Sequence, residues 1–465
     1  MTKEASMTGV SLIITFIIAI MVMIWMIAKL KVHPFLALMS VSLALALLAG
    51  IPLNKIPSMI GEGFSGTFKS IGIVIIFGAI IGTVLEKTGA ALKLADMVVK
   101  VVGQKRPELA MLIMGWVVGI PVFCDSGFVV LNPIREAIQK KIAANPVGTA
   151  VALSGGLYAA HVFIPPTPGP IAVAGGVGLE HNLLLVIVMG IVVSIPVLAA
   201  SYLFAKYIGK RVTVSSDGKD DELIAQSYDE LLKRYGKLPS GGLSLAPIFI
   251  PIILMALGSI TKILGLSGDA SNLILFLGNP ILALAVGVVF AVILIFHSGK
   301  ASEFEQLTND TLKIVGPILF ITAAGGVLGK VIVEAGFVEY IKQNAVTIST
   351  AGIFFPFLIS AILKTAQGSS TVAMITTAAI MGMFNAQDSL MSTLGLTSEI
   401  AAALTVMAIA AGAMCVSHAN DSYFWVVTNF SKMTPQQGYR TQTALTFIMG
   451  IVGILTVYLL SLILL

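Results

Sequence analysis

The sequence predicts an all-α polytopic membrane protein made of two inverted repeats of about five transmembrane helices, each with a re-entrant hairpin and a broken helix. Three observations predict it. Hydrophobic residues fill 57% of the 465 positions and charged residues only 11%, against about 25% charged in soluble domains, and mean hydropathy is +0.98. Apolar segments long enough to cross a bilayer recur along the whole chain. Two further apolar regions are each cut by a small polar knot. The membrane is therefore the solvent of this chain, and a net charge of +5 without a basic patch gives no sign of a nucleic-acid partner. Cys124 and Cys415 lie in apolar surroundings and form no CxxC pair, so neither a disulfide framework nor a zinc site is expected. No cofactor or metal motif is present, and an enzyme is not expected.

A helix needs roughly 20 residues to cross the hydrocarbon. Spans are expected near 8–28, 34–52, 70–86, 147–180, 183–208, 243–265, 273–297, 313–333, 399–430 and 441–465. The first is too long for a signal-peptide core and has no A-x-A site after it, so it is read as a retained span. Regions 107–142 and 351–384 instead hold two short apolar stretches around the knots CDSG (124–127) and KTAQGSST (364–371). Each reads as two half-length helices joined by a polar turn, a hairpin that enters and leaves on one face. Irregular backbone at that depth is tolerated only when buried in protein or lining a wet cavity.

The basic residues orient these elements, because Lys and Arg concentrate in cytoplasmic loops. Lys29 and Lys31, then Lys87, Lys93, Lys100, Lys105 and Arg106, then Arg135, Lys140 and Lys141, then Lys206, Lys210 and Arg211 fall on one side if the chain starts outside. Loops 298–312 and 431–440 then lie inside, 334–350 and 385–398 outside, and both termini are predicted outside. Lys330 and Lys342 fall on the outer side against this trend. The polar stretch 209–242 reads as a cytoplasmic linker with one amphipathic helix at about 221–235. It separates a first repeat, 1–208, from a second, 243–465.

The halves resemble each other. FKSIGIVIIFGAIIGTVLEKTG (68–89) parallels LKIVGPILFITAAGGVLGKVIVEAG (312–336). Each half continues with a hairpin, then a span broken by a polar motif containing His, then an unbroken span. The broken spans carry YAAHVFIPPTPGPIAVAG (158–175) and MCVSHANDSYFWVVTN (414–429). Five crossings, an odd number, turn the second half upside down, the arrangement in which broken helices meet at a midplane site.

Four polar groups follow as candidate site residues. Asp125, Ser126 and Gly127 mark the first hairpin, and Gln367, Gly368, Ser369, Ser370 and Thr371 the second. His161, Thr167 and Gly169, among Pro165, Pro166, Pro168 and Pro170, break one span; His418, Asn420, Asp421 and Ser422 break another. A helix that restarts inside the membrane presents unpaired N–H groups with partial positive charge, which suit an anion. GSST and PTPG are good helix starters, because hydroxyls cap and Pro fits the first turn. With few cations nearby, the expected ligand is a small hydroxyl-rich anion held by dipoles and hydrogen bonds. Asp125, His161, His418 and Asp421 are proton-coupling candidates, since ionisable groups inside a membrane are expensive. Each could equally serve local structural bonding. Lys364 could pair with a carboxylate ligand, orient the hairpin or snorkel.

FCDSGFVVLNPI, HVFIPPTPGP, TAQGSSTVAMIT and SHANDSYFW, in this order, resemble the gluconate permease family of bacterial gluconate:proton symporters, and the resemblance covers nearly the whole chain. It implies an inner-membrane symporter of the larger ion-transporter superfamily, with an elevator-like transport domain and a homodimeric assembly. It also implies a substrate such as gluconate, a related sugar acid, glycerate, D-serine or a short hydroxy acid. Sodium coupling is the rival within transport, because broken helices also offer carbonyls to sodium. An intramembrane aspartyl protease would use Asp125 and Asp421, but the sequence lacks a GxGD-type setting. An ion channel would not need the alternating arrangement.

Overall fold

A computed structural model describes residues 10–102, 106–141, 144–214, 238–336, 352–419 and 421–465, and these are helical, without strands. The expected linker helix at 221–235, Asn420 and Lys342 lie outside the described residues.

The first half begins with α1 (Val10–Ala28) and α2 (Pro34–Leu48), whose Pro34 occupies the first turn, where its missing N–H costs nothing. The span expected at 70–86 starts earlier. α3 (Ile56–Thr67) runs through a π-turn at Phe68–Gly72 into α4 (Ile73–Lys87). Gly89, with φ of 77°, lets the chain turn by 75° into α5 (Ala90–Val102). The sequence reading made this a basic loop. It is an amphipathic helix, supported by Asp96 pairing with Lys100 at 2.9 Å and lying 3.6 Å from Lys93, one helical turn away on either side.

The first hairpin is α6 (Pro107–Gly119) and α7 (Cys124–Lys141). Its connection is 120–123 and not the CDSG knot, which instead forms the first turn of α7. Pro121, which can donate no hydrogen bond, stops the helix just upstream, and the Gly127 N–H already bonds the Phe123 carbonyl at 2.8 Å. α8 (Pro146–Phe163) and α9 (Pro168–Gly176) follow, then α10 (Leu183–Gly209).

The second half comprises α11 (Gly241–Ile263), α12 (Asp269–Leu277) and α13 (Pro280–His297). The span expected at 273–297 is thus divided, with Asn279 capping the restart by accepting the Ile281 N–H at 3.0 Å. α14 (Phe304–Glu334) is 31 residues long, longer than expected. The second hairpin is α15 (Phe354–Gln367) and α16 (Ser370–Met381), followed by the broken pair α17 (Glu399–Met414) and α18 (Ser422–Phe430), and by α19 (Ala444–Leu464).

α8 and α17 form the centre and are almost wholly buried. α6 packs on α8 and α8 on α10; α15 packs on α17 and α17 on α19. α7 meets α18, and α9 meets α16. At the periphery, α1 packs on α2, α11 on α13, and α14 on α2, α3 and α4. Ile17, Trp25, Leu47, Ile195, Phe296 and Leu462 point outward from these helices. Six helical runs among the described residues, counting α8 with α9, are long and apolar enough to cross a bilayer. Lipid tails are as apolar as the side chains facing them, so that outer face needs no protein cover.

Candidate functional site

The helix breaks place the polar residues. In the first broken span, Pro165, Pro166 and Pro168 withhold three N–H groups, and Thr167 repairs part of the loss. Its hydroxyl lies 2.9 Å from the His161 carbonyl and 2.8 Å from that of Ile164, both freed by the break. Thr167 is buried, and the His161 ring lies 5.8 Å from Phe123. His161 Nδ1 is buried without a hydrogen-bond partner among the described residues. Gly169 lets α9 approach α16, since a Cβ there would sit 3.1 Å from Met374 Sδ.

In the second hairpin, Gly368 closes α15 in the left-handed conformation (φ 86°), and Ser369 caps α16 by accepting the Val372 N–H at 3.3 Å. Thr371 is half-buried in its first turn. The Gln367 side chain lies outside the described atoms. In the second broken span, Asp421 caps α18 through Tyr423 N–H at 3.1 Å, and His418 bonds the Thr365 carbonyl through Nε2 at 2.9 Å.

These pieces are joined by contacts between distant parts of the chain. Ser422 donates to Asp125 Oδ1 at 3.1 Å, tying the start of α18 to the start of α7. Cys124 Sγ lies 3.7 Å from the other Asp125 oxygen. Asp421 Oδ2 accepts from Lys364 Nζ at 2.6 Å and from the Ser417 hydroxyl. Lys364 is fully buried and also donates to the Gly368 carbonyl at 2.5 Å. Tyr158 spans both breaks of the second half: its hydroxyl lies 3.4 Å from Ser370 Oγ and 3.4 Å from the Ala413 carbonyl, and its ring is 5.9 Å from Lys364 Nζ. Tyr423 reaches back to the Ser154 carbonyl at 3.1 Å. Ser126 is half-buried, donates to the Phe123 carbonyl at 3.3 Å and neighbours Glu86 of α4, and Gly127 packs where a Cβ would lie 2.7 Å from Leu157.

Of the residues singled out from the sequence, the structure thus brings Asp125 to Ser422, Asp421 to the second hairpin, and Ser370 to α8. Thr167 and Gly169 sit between helices instead, bonded to backbone and packed on Met374. Sequence reasoning missed Tyr158, Glu86, Ser417 and Tyr423. Tyr158 carried a signal, since it lies one turn before His161 on an otherwise small-residue span. Glu86 carried none, because a Glu-Lys pair at a helix end reads as a loop boundary.

A cavity lies elsewhere. About 400 Å³ opens between α3 and α14 on one side and α9 and α16 on the other, with Glu62, Thr322, Lys330, Asp388 and Ser389 among glycines. It faces the C-terminal ends of α9 and α16, and the helix start it touches among the described residues, at Ser389, belongs to the single turn Leu390–Thr393. The candidate site is therefore the polar cluster, and the cavity is a cleft at its flank.

Restarted helices with buried polar starts, gathered from both halves inside an apolar bundle, define a membrane transport protein. The chain belongs to the GntP family of permeases, whose model matches residues 11–463, and it is a permease, not an enzyme. It is 34% identical to an uncharacterized permease of Haemophilus influenzae, over 89% of this chain and 85% of that one. It is 31% identical to the inner membrane permease YgbN of Escherichia coli, over 97% and 98%. It is 29% identical to a gluconate permease of Pseudomonas aeruginosa, over 97% and 98%. The fold is similar to that of the Alcanivorax borkumensis YdaH transporter, with a TM-score of 0.62 and 15% identity, over 92% of this chain and 97% of that one.

Proposed function

We propose that this permease imports a small hydroxylated carboxylate, most simply gluconate or a related sugar acid, by proton symport across a bacterial inner membrane. The observation that carries the reading is the contact of Ser422 with Asp125 beside the buried Lys364–Asp421 pair, which gathers carboxylates, hydroxyls and helix starts from both halves. The family and the gluconate permease relative supply the substrate class. Hydroxyls of Ser126, Ser369, Ser370, Thr371 and Ser422, with the amides of Gln367 and Asn420, suit a polyol chain, and the helix starts suit its carboxylate.

The proposed architecture is two inverted repeats, 1–208 and 243–465, around a cytoplasmic linker, with both termini outside and two re-entrant hairpins. Exchanged packing supports it: α7 lies on α18 as α9 lies on α16, and α2 lies on α14 as α13 lies on α4. The proposed movement is elevator-like. The cleft between α3/α14 and α9/α16 supports it, because Gly63, Gly175, Gly176, Gly326 and Gly329 leave that boundary without interlocking side chains. A homodimer is the proposed assembly.

The test is uptake of labelled gluconate into proteoliposomes, with idonate, glycerate, D-serine and 3-hydroxybutyrate as competitors. Saturable uptake abolished by a proton ionophore and indifferent to sodium is expected. Uptake that survives the ionophore and stops without sodium refutes the proton coupling. Flux that never saturates refutes a carrier in favour of a channel.

A further inference from the structure

We infer that Lys364 and Asp421 form a charge-exchange pair that links one proton to one anion: protonation of Asp421 releases the Lys364 ammonium, which then binds the substrate carboxylate. This rests on the carboxylate-transport reading above. The geometry carries it. Lys364 Nζ is fully buried and held at 2.6 Å by Asp421, whose side chain is 7% exposed. An ammonium has three donors. Two are engaged here among the described residues, by Asp421 and by the Gly368 carbonyl, which leaves one for an incoming oxygen.

Net charge then decides which states are populated. With Asp421 ionised, the pair is neutral and rejects an anion, because an uncompensated charge at a buried site is strongly disfavoured. With Asp421 protonated, the site holds one unpaired ammonium, equally disfavoured unless an anion arrives. Empty-and-deprotonated and loaded-and-protonated are the two neutral states, so proton and anion move together. The proton comes from solvent and resides on an Asp421 oxygen; no covalent bond to substrate forms. Ser417 bonds the same oxygen and can turn from donor to acceptor when that oxygen is protonated, so the cap is not left unpaired. Entry is from the Ser422 side, where Ser422 and Asp125 form the exposed edge of the cluster.

The charged and titratable groups facing Asp421 are Lys364 from α15, Asp125 and Cys124 from α7, Tyr158 and His161 from α8, and Tyr423 on its own helix. Asp125 is the nearest rival for the proton. It bonds a hydroxyl rather than a cation, so its protonation frees no receptor for an anion.

The experiment measures labelled gluconate counterflow and pH-driven accumulation in proteoliposomes between about pH 6 and about pH 8. One linked proton makes wild-type half-saturation rise by up to about ten-fold per pH unit. Asp421→Asn is expected to lose that pH dependence and to lose accumulation. Lys364→Gln, and the double variant Lys364→Gln/Asp421→Asn, are expected to lose counterflow at least about ten-fold. The double variant leaves no buried charge behind, so its folding, checked by its melting curve, separates lost binding from lost structure. Independently of any variant, wild-type protein in detergent should take up about one proton per gluconate bound, read with an indicator dye. No proton uptake on binding, accumulation by Asp421→Asn, or near-normal counterflow by the double variant overturns the inference and leaves carboxylate transport standing. A wild type that carries none of the candidate acids overturns both.

Discussion

The helices that carry the candidate site approach each other through facing glycines, and adding one methyl there should be expensive. In α6, a Cβ on Gly115 would lie 2.5 Å from the Leu153 carbonyl oxygen and 2.9 Å from the Leu157 nitrogen. In α8, a Cβ on Gly156 would strike the Leu112 carbonyl oxygen and lie 2.8 Å from the Trp116 nitrogen. Real Cβ atoms rarely come closer than 3.4 Å to such neighbours, and backbone cannot step aside without its helix. Gly156→Ala gains up to about 1 kcal/mol of helix propensity. Overpacking costs about 1–3 kcal/mol where side chains can adjust, and the upper end applies where they cannot. The net expectation is a loss of about 2 kcal/mol, roughly 30-fold in the folding equilibrium. Gly61→Ala in α3, where nothing lies within 4 Å of the new methyl, is the control and should be neutral or slightly stabilising. Denaturant unfolding in detergent gives the difference directly. A Gly156→Ala protein as stable as wild type would falsify the close α6–α8 seam.

Two further outcomes are expected. Arg135, buried in α7, donates to Asn132 at 2.8 Å, to Gln139 at 3.3 Å and to the Pro146 carbonyl at 3.0 Å, clamping the end of the first hairpin to α8. Arg135→Gln should destabilise by about 3 kcal/mol, with little rescue by Lys, whose single ammonium cannot reproduce the fork; unfolding of both variants checks this. Asp125→Asn should keep its hydrogen bond with Ser422 and its counterflow, while lowering uphill accumulation if Asp125 relays protons. Equal loss of both activities would instead make Asp125 a ligand-binding or structural group.

The fold was legible where hydropathy alone decides it. The N-terminal limits of α10 and α11 lie within two residues of the expected spans, because a bilayer demands uninterrupted apolar length. What could not be read is where a helix stops inside an apolar region. The first hairpin turns before CDSG because Pro121 acts upstream of the polar residues that drew attention. The α5 helix was hidden by the basic residues Lys87, Lys93, Lys100, Lys105 and Arg106, which read as a loop, although Lys93 and Lys100 pair with Asp96 once the helix forms. At the site, Asp125, Ser422 and Asp421 were legible because buried polar side chains in lipid demand a reason. Their partners were not: Lys364 and Asp421 are 57 residues apart, and Tyr158 reaches Ser370 across 212. No local pattern encodes contacts that exist only once the halves have packed.

His161 offers the sharpest separation of structure from function. Its ring is 6% exposed, with Nδ1 unpartnered among the described residues. An unsatisfied buried polar atom costs about 1–3 kcal/mol, so an apolar residue of similar volume should be at least as stable there. A histidine retained for packing alone would therefore be a poor choice, and one that exchanges a proton during transport would be a good one. His161→Leu is accordingly expected to melt at or above the wild-type temperature while proton-driven accumulation falls at least about ten-fold, a loss of some 1.4 kcal/mol in the coupled step. Loss of stability together with activity would mean that Nδ1 has a partner in the folded protein. Full accumulation by a stable His161→Leu would remove His161 from the proton path and leave Asp125, Asp421 and His418 as the candidates.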